Sequence, residues 1–273
     1  MIPTVSPRRC ADLLAEVRAR RPLIHNITNY VVMNTTANTL LALGASPIMA
    51  HAREEVEELA AVAGALVLNI GTLSPDWIEA MAAAGRVASR RGIPTVLDPV
   101  GAGATGLRTD AARRLLAEVR PAVVRGNPSE VLAVAAAGVG GKGVDSTHTV
   151  DEARRAAVAI ARRESCIVAV TGAEDFVTDG RVGVRVANGD PWMARITGSG
   201  CAATAVTGAF LAVTASALEA AAAALTVFGL AGERAAHGCP GPGSFQVRLL
   251  DELAALAPDD VARGARLAVE RAE

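Results

Sequence analysis

The run Thr197-Gly198-Ser199-Gly200-Cys201 opens a long stretch of Ala, Thr and Val. Its glycines let the backbone come close to a ligand. At the start of a helix the free N–H groups, reinforced by the helix dipole, hold an anion. A transferring phosphoryl group, whose charge spreads over its oxygens in the transition state, is an anion of that kind. The competing reading is a tight turn capping a core helix. Cys201 falls in the first helical turn, where a thiol's pKa is lowered. It then serves either as a base or as a small buried residue.

A second set is Arg125-Gly126-Asn127-Pro128-Ser129-Glu130. Asn127 reads as an N-cap and Pro128 as the first helical residue. Glu130 falls at the third helical position. There it either closes a capping box or points at the strand ends and holds Mg²⁺ through water, the usual way that ion is bound. Arg125, at a strand tip, either grips a phosphate or lies on the surface.

Asp98-Pro99-Val100-Gly101-Ala102-Gly103-Ala104-Thr105-Gly106 contains Gly-x-Gly-x-x-Gly, the spacing of a dinucleotide-binding loop. Asp98 and Pro99 separate these glycines from their strand, and the loop does not follow the first strand of the sheet. The next strand ends in Arg125 rather than in an acidic residue for a ribose, although an Arg would suit NADP. Asp98 reads better as a charge aimed at a metal or phosphate. Gly140-Gly141-Lys142-Gly143 lacks the frame and the Ser/Thr of a Walker A loop and reads as a loop. His25, His51, His148 and His237 have no metal-ligand spacing, and Gly198-Ser199-Gly200 is out of frame for a nucleophile elbow.

These loops need a scaffold, and the chain supplies one. Short apolar runs at Ala65–Ile70, Ile93–Leu97, Ala122–Val124 and Cys166–Val170 predict buried strands. Helical patterns follow or separate them at Arg53–Ala63, Asp76–Arg91, Thr109–Val119 and Val150–Arg163. That alternation predicts an α/β fold whose central, mostly parallel sheet has helices on both faces. Turn pairs at Asp179-Gly180 and Asn188-Gly189-Asp190 predict antiparallel edge strands over 176–196. From Ser199 onward the pattern is helical, with a loop at Cys239–Gly243. Ligands in such sheets bind at the carboxyl ends of the strands, where Asn69, Asp98, Arg125 and Thr171 stand.

Composition narrows the function. The 273 residues suit one domain, 1–273, since no linker or composition shift divides them. A net charge of −1 gives no basic surplus for nucleic acid. Cys10, Cys166, Cys201 and Cys239 form no Cys-x-x-Cys pair, so a reducing, cytoplasmic setting is expected. Met1–Arg21 is charged and lacks a signal-like apolar core. Residues 196–218 carry no charge and are long enough to span a bilayer, but they hold Thr, Ser and Gly without flanking aromatic belts, so a buried helix and no membrane partner are expected.

The segments His25-Asn26-Ile27-Thr28-Asn29-Tyr30-Val31-Val32, Leu41–Met49, Leu68–Leu73, Asp98–Thr105, Thr197–Cys201 and Gly241–Phe245 resemble, in order, the hydroxyethylthiazole kinase family of thiamine salvage. The resemblance covers nearly the whole chain. It implies a ribokinase-like fold and transfer of the ATP γ-phosphoryl group to the hydroxyethyl oxygen of 4-methyl-5-(2-hydroxyethyl)thiazole. It further implies that Asn29 and Met49 line the thiazole pocket and that Gly198 contacts substrate and helps form an anion hole with Ser199, Gly200 and Cys201. Arg125 and Thr171 would contact ATP, and Asp98 and Glu130 would serve the Mg²⁺–phosphate cluster. Cys201 occupies the place where most ribokinase-like enzymes carry an Asp base. Members of the family are trimers with sites between subunits.

Three other readings compete. One is a kinase for another vitamin-precursor alcohol, of the hydroxymethylpyrimidine type. The second is an NADP-dependent oxidoreductase built on Gly101–Gly106. The third is a binding protein that keeps the pocket without the chemistry.

Overall fold

The computed structural model describes residues 5–136 and 149–272. Nine strands among them form one sheet: β1 Leu23–Ile27, β2 Ser46–Met49, β3 Ala65–Asn69, β4 Thr95–Asp98, β5 Val123–Gly126, β6 Ile167–Val170, β7 Asp175–Thr178, β8 Val182–Val186 and β9 Leu267–Arg271. Their order across the sheet is β2-β1-β3-β4-β5-β6-β7-β8-β9. The first six run parallel. The last three are antiparallel.

Side chains alternate across a strand, so a sheet covered on both faces needs apolar residues at every position. The central strands meet that need. Val67, Val96, Val123 and Ala169 enter one core, against helices Pro7–Arg20, Ser199–Leu211, Ala217–Ala236 and Pro242–Ala255. Leu66, Leu68, Leu97, Val124, Val168 and Val170 enter the other, against helices Pro75–Arg91, Gly106–Val119, Pro128–Ala135 and Val150–Glu164. Gly208 fixes how closely helix Ser199–Leu211 lies on β3, since a Cβ there would stand 2.8 Å from Val67 Cγ2. The N-terminus of that helix is thereby brought to the strand ends.

Several boundaries differ from expectation. β4 takes in Asp98, and β5 takes in Arg125 and Gly126, because parallel pairing with β3 and β6 continues to those residues. The helix expected over Arg53–Ala63 is the shorter Val56–Val62. Of the antiparallel segment, β7 and β8 are present. After Asn188-Gly189-Asp190, however, the chain enters a 3-10 helix, Pro191–Arg195, with Asp190 Oδ1 accepting from Trp192 N–H at 2.8 Å. The tail is not helical to its end, because β9 returns to close the sheet beside β8. The uncharged run 196–218 divides into the 13-residue helix Ser199–Leu211, a bend, and the start of helix Ala217–Ala236. Among the described residues no helix is long and apolar enough to cross a membrane. The loop expected at Gly140–Gly143 lies outside the described residues.

Candidate active site

Asn69 and Asp98 end neighbouring strands and are paired in register. Asp98 is 1% exposed. Its Oδ2 accepts from Asn69 Nδ2 at 2.8 Å and from Thr204 Oγ1 at 2.7 Å. Its Oδ1 is buried without a hydrogen-bond partner among the described residues. Burial raises the pKa of this carboxyl, Arg125 opposes the shift from 3.9 Å, and Glu130 adds to it. A buried carboxylate oxygen left open in this way suits a water or a hydrated cation.

Asn69 also faces the other way. Its Oδ1 accepts from Asn29 Nδ2 at 2.8 Å and from Gly71 N–H at 3.0 Å. Asn29 Nδ2 reaches Cys201 Sγ at 3.5 Å, and Asn29 Oδ1 accepts from Val31 N–H at 3.1 Å. A continuous polar chain therefore runs from Cys201 through Asn29 and Asn69 to Asp98. Asn29 does not cap a helix through its side chain; helix Met33–Leu43 begins at Val32, without a side-chain cap.

Helix Ser199–Leu211 opens at Gly198, whose φ of 83° is left-handed. A Cβ at Gly198 would stand 2.6 Å from Val32 Cγ1, so both conformation and space call for glycine. The first backbone bond of the helix is Ala202 N–H to Gly198 O at 2.8 Å. The N–H groups of Ser199, Gly200 and Cys201 are left over, as in the first turn of any helix. The Arg125 guanidinium lies across this helix start, with Nη1 2.8 Å from where a Gly200 Cβ would be. Arg125 Nη2 donates to Thr171 Oγ1. Helix N–H groups and guanidinium together make a positive cradle for a phosphoryl group.

The expected lowering of the Cys201 thiol is not found. Burial and the Asp98 charge push it up to about 11, outweighing the Asn69, Arg125 and Asn29 contacts that act the other way. At neutral pH Cys201 is therefore a thiol and not a thiolate.

Glu130 closes the capping box: Asn127 Oδ1 accepts from Glu130 N–H at 2.9 Å, and Asn127 N–H donates to Glu130 Oε2 at 2.7 Å. Its Oε1 accepts from Gly101 N–H at 2.8 Å. Glu130 thus ties the loop after β4 to the start of helix Pro128–Ala135. Gly103 N–H is likewise taken, by Thr109 Oγ1 at 2.9 Å. With Ala102 N–H on Pro99 O and Ala104 N–H on Gly101 O, four amides of the Gly-x-Gly-x-x-Gly run are consumed internally, and the run does not offer a pyrophosphate the amides a dinucleotide loop would.

A cavity of about 690 Å³ opens beside the helix start. Arg125, Asn127, Thr171, Ser199 and Gly200 line it, as do the apolar Met193, Leu225 and Phe228. Neither Asn29, Met49 nor Cys201 lines it. Met49 is half-buried at the end of β2, in register with Asn26 and two strands from Asn69. Beside Asn29, Tyr30 and Val31 are 66% and 62% exposed. Among the described residues no three His, Cys, Asp or Glu side chains converge as an all-protein metal site.

The sequence reading did not single out Thr204 or Arg108, nor the side-chain role of Asn69. Arg108 donates to Val100 O at 2.7 Å, Ile70 O at 3.3 Å and Gly71 O at 2.8 Å, clamping the loops after β3 and β4 together. For Asn69 the signal was a polar residue ending an apolar strand. Arg108 and Thr204 carried none.

Residues 14–259 match the model of the hydroxyethylthiazole kinase family. A hydroxyethylthiazole kinase of Oleidesulfovibrio alaskensis is 55% identical over 256 residues, covering 94% of this chain and 96% of that one. The structure of a hydroxyethylthiazole kinase from Pyrococcus horikoshii matches with a TM-score of 0.89 at 45% identity, covering 96% of this chain and 98% of that one. A ribokinase-like superfamily protein from Enterococcus faecalis shares the fold at a TM-score of 0.63 and 13% identity, covering 91% and 95% of the two chains.

Proposed function

Because the chain belongs to the hydroxyethylthiazole kinase family, we propose that it transfers the γ-phosphoryl group of ATP to the hydroxyethyl oxygen of 4-methyl-5-(2-hydroxyethyl)thiazole. One observation carries this reading: the free N–H groups of Ser199, Gly200 and Cys201 stand between a large cavity and the Asn29–Cys201 pair. ATP fills the cavity with its phosphates toward Arg125 and Thr171. The acceptor alcohol enters from the Asn29 side, with Met49 and Gly198 against the thiazole. In the reaction the acceptor oxygen bonds to phosphorus, the bond to the β-phosphate oxygen breaks, and the hydroxyl proton leaves to solvent.

Such transfer passes through a loose transition state, so most of the rate comes from positioning and from charge stabilisation. The helix-start amides and Arg125 face the charge on the equatorial oxygens. Cys201, un-ionised at neutral pH, contributes its backbone N–H and its fit beside Asn29, rather than a base. Asp98 and Glu130 would hold Mg²⁺ through water, as the partnerless Asp98 Oδ1 suits. When bound, that ion neutralises phosphate charge.

The unit that works is one domain, 1–273, in the cytoplasm, assembled as a homotrimer with each site between subunits. Exposed Tyr30 and Val31 beside Asn29 support an acceptor pocket completed by a second copy. Light scattering showing an active monomer at assay concentration would reject the trimer.

Nucleotide specificity tests the class of reaction. Mg²⁺-ATP or ADP is expected to raise the melting temperature, and NADP to leave it unchanged, since a ligand of the folded state stabilises it by mass action. A shift with NADP alone would overturn the kinase reading in favour of the oxidoreductase one.

A further inference from the structure

We propose that Asp175 is the ribose-binding residue of the nucleotide cavity, its open carboxylate oxygen accepting from the sugar hydroxyls and selecting ribonucleotides over their deoxy forms. The inference rests on the reading that ATP occupies this cavity.

Asp175 starts β7, lines the cavity and is 9% exposed. Its Oδ1 accepts from Gly172 N–H at 2.9 Å. Among the described residues Oδ2 has no hydrogen-bond partner. On a residue nine-tenths buried, an acceptor without a protein partner is open to a ligand's donor. Burial does raise this carboxyl to about 6, with Gly172 N–H and Arg125 opposing the shift. It therefore remains largely a carboxylate at neutral pH.

Its polar neighbours Asn188 and Thr171 are committed, and Asp190 is less buried. Asn188 donates to Glu233 Oε1 and Gly264 O, each at 3.1 Å, and accepts from Arg266 N–H at 2.8 Å. Asp190, whose Oδ1 accepts from Trp192 N–H, is only half-buried, and the Thr171 hydroxyl is taken by Arg125. Asp175 thus presents the cavity with an acceptor and no donor.

A carboxylate repels a polyphosphate, so its partner must be the part of the nucleotide that offers neutral donors. Position selects the sugar. Asp175 is tied to Gly172, next to Thr171, where the phosphate-gripping Arg125 ends. Met193, Leu225 and Phe228 supply the apolar surface for a base. With phosphates at the helix start and base on that surface, the sugar falls between them, and ribose brings two hydroxyl donors.

The test is calorimetric binding of ADP and 2′,3′-dideoxy-ADP to the intact protein and to Asp175→Asn. The Asn variant keeps an oxygen for Gly172 N–H. A hydrogen bond to a charged acceptor corresponds to about a tenfold or larger difference in affinity. The parent is expected to bind ADP at least that much more tightly than the dideoxy form, and Asp175→Asn to bind the two alike. Equal binding of both by the parent overturns the proposal and needs no variant to fold. Undiminished discrimination by Asp175→Asn overturns it as well. If the variant instead loses discrimination between ADP and IDP, Asp175 reads the base amine and the ribose assignment is wrong. A change in Mg²⁺ dependence alone would make it a metal ligand, again against the proposal. Failure of the parent to bind ADP at all would strike the nucleotide reading itself, and is distinguishable from every result above.

Discussion

Asn69 donates to Asp98 Oδ2 at 2.8 Å, joining the last residues of two adjacent strands side chain to side chain. Asn69 Oδ1 at the same time holds Asn29 Nδ2, so one amide spans the acceptor side and the phosphate side. Replacing it with Leu, close in size, removes both links. Asn69→Leu is expected to lower kcat about 10²-fold and to raise both the KM for the thiazole alcohol and the Mg²⁺ needed for half-maximal rate. The scale follows from positioning, where small displacements of reacting groups cost that much. Steady-state kinetics with a metal titration checks it. Loss of melting temperature with unchanged kinetics would make Asn69 a strand-end brace only.

Asp98 is held against its own stability interest. Its pKa is raised above the ordinary 3.8 by burial. The folded state therefore binds the proton more tightly than the unfolded chain does, and stability falls as pH rises from the ordinary value through the raised one. Asp98→Asn, with its amide oxygen still accepting from Asn69 and Thr204, lacks that loss. At neutral pH it should melt higher than the parent, each kcal/mol corresponding to about 2–4 °C in a chain of this size, while its activity collapses. The advantage should shrink as pH is lowered toward 3.8. Thermal melts across pH read this out. A variant that melts lower at neutral pH would show that pairing with Arg125 outweighs burial.

Glu130→Gln keeps the shape of the capping side chain but sets an NH₂ group against the N–H of Asn127 or of Gly101. A buried donor left without an acceptor costs about 1–3 kcal/mol, so a lower melting temperature is expected. Because the carboxylate is also proposed to serve Mg²⁺, the metal requirement should rise and kcat fall. An unchanged Mg²⁺ titration with only the melting loss would confine Glu130 to its cap and to Gly101.

Cys201 tests how much a base matters. With its thiol at about 11, the parent should show no inflection from this group across neutral pH. Cys201→Ala and Cys201→Ser leave every helix-start N–H in place and should slow turnover by about tenfold or less, since there is no thiolate to lose. In Cys201→Asp the new carboxyl would be ionised near neutral pH and could take the acceptor proton. Activity should be kept or raised, within the ~10²-fold typical of general-base help. A folded but dead Cys201→Asp would mean that the side chain does not face the acceptor hydroxyl.

How much of this was legible in the sequence depended on how far each signal lay from its partner. β3, β4, β5 and β6 are nearly continuous apolar runs, so their existence could be read directly; the polar ends of β4 and β5 were missed, and β4 begins at Thr95 rather than Ile93. β1 carries His25 and Asn26 in its interior, and both are buried. Periodicity does not expect that, and buried bonds such as His25 Nε2 to Ala50 O at 2.9 Å make it workable. β9, Leu267–Arg271, reads as helix because Leu, Ala, Glu and Arg favour helices. Pairing with β8 overrides that preference. In the site, Asn127 and Glu130 were legible because a capping box is local. Thr204 was not, because it meets Asp98 across 106 positions of chain. The direction of the Cys201 shift was misjudged because the helix start is visible in sequence, whereas the burial and the Asp98 charge that outweigh it are not.

The measurement closest to the central claim is product formation by the purified protein with Mg²⁺-ATP and, in separate reactions, hydroxyethylthiazole, hydroxymethylpyrimidine and no acceptor. Mass spectrometry should find the thiazole monophosphate, formed with one equivalent of ADP, at a kcat/KM far above any product from the pyrimidine. A thiazole alcohol left unmodified while the pyrimidine is phosphorylated well, or ADP released at the same rate without any acceptor, would contradict it.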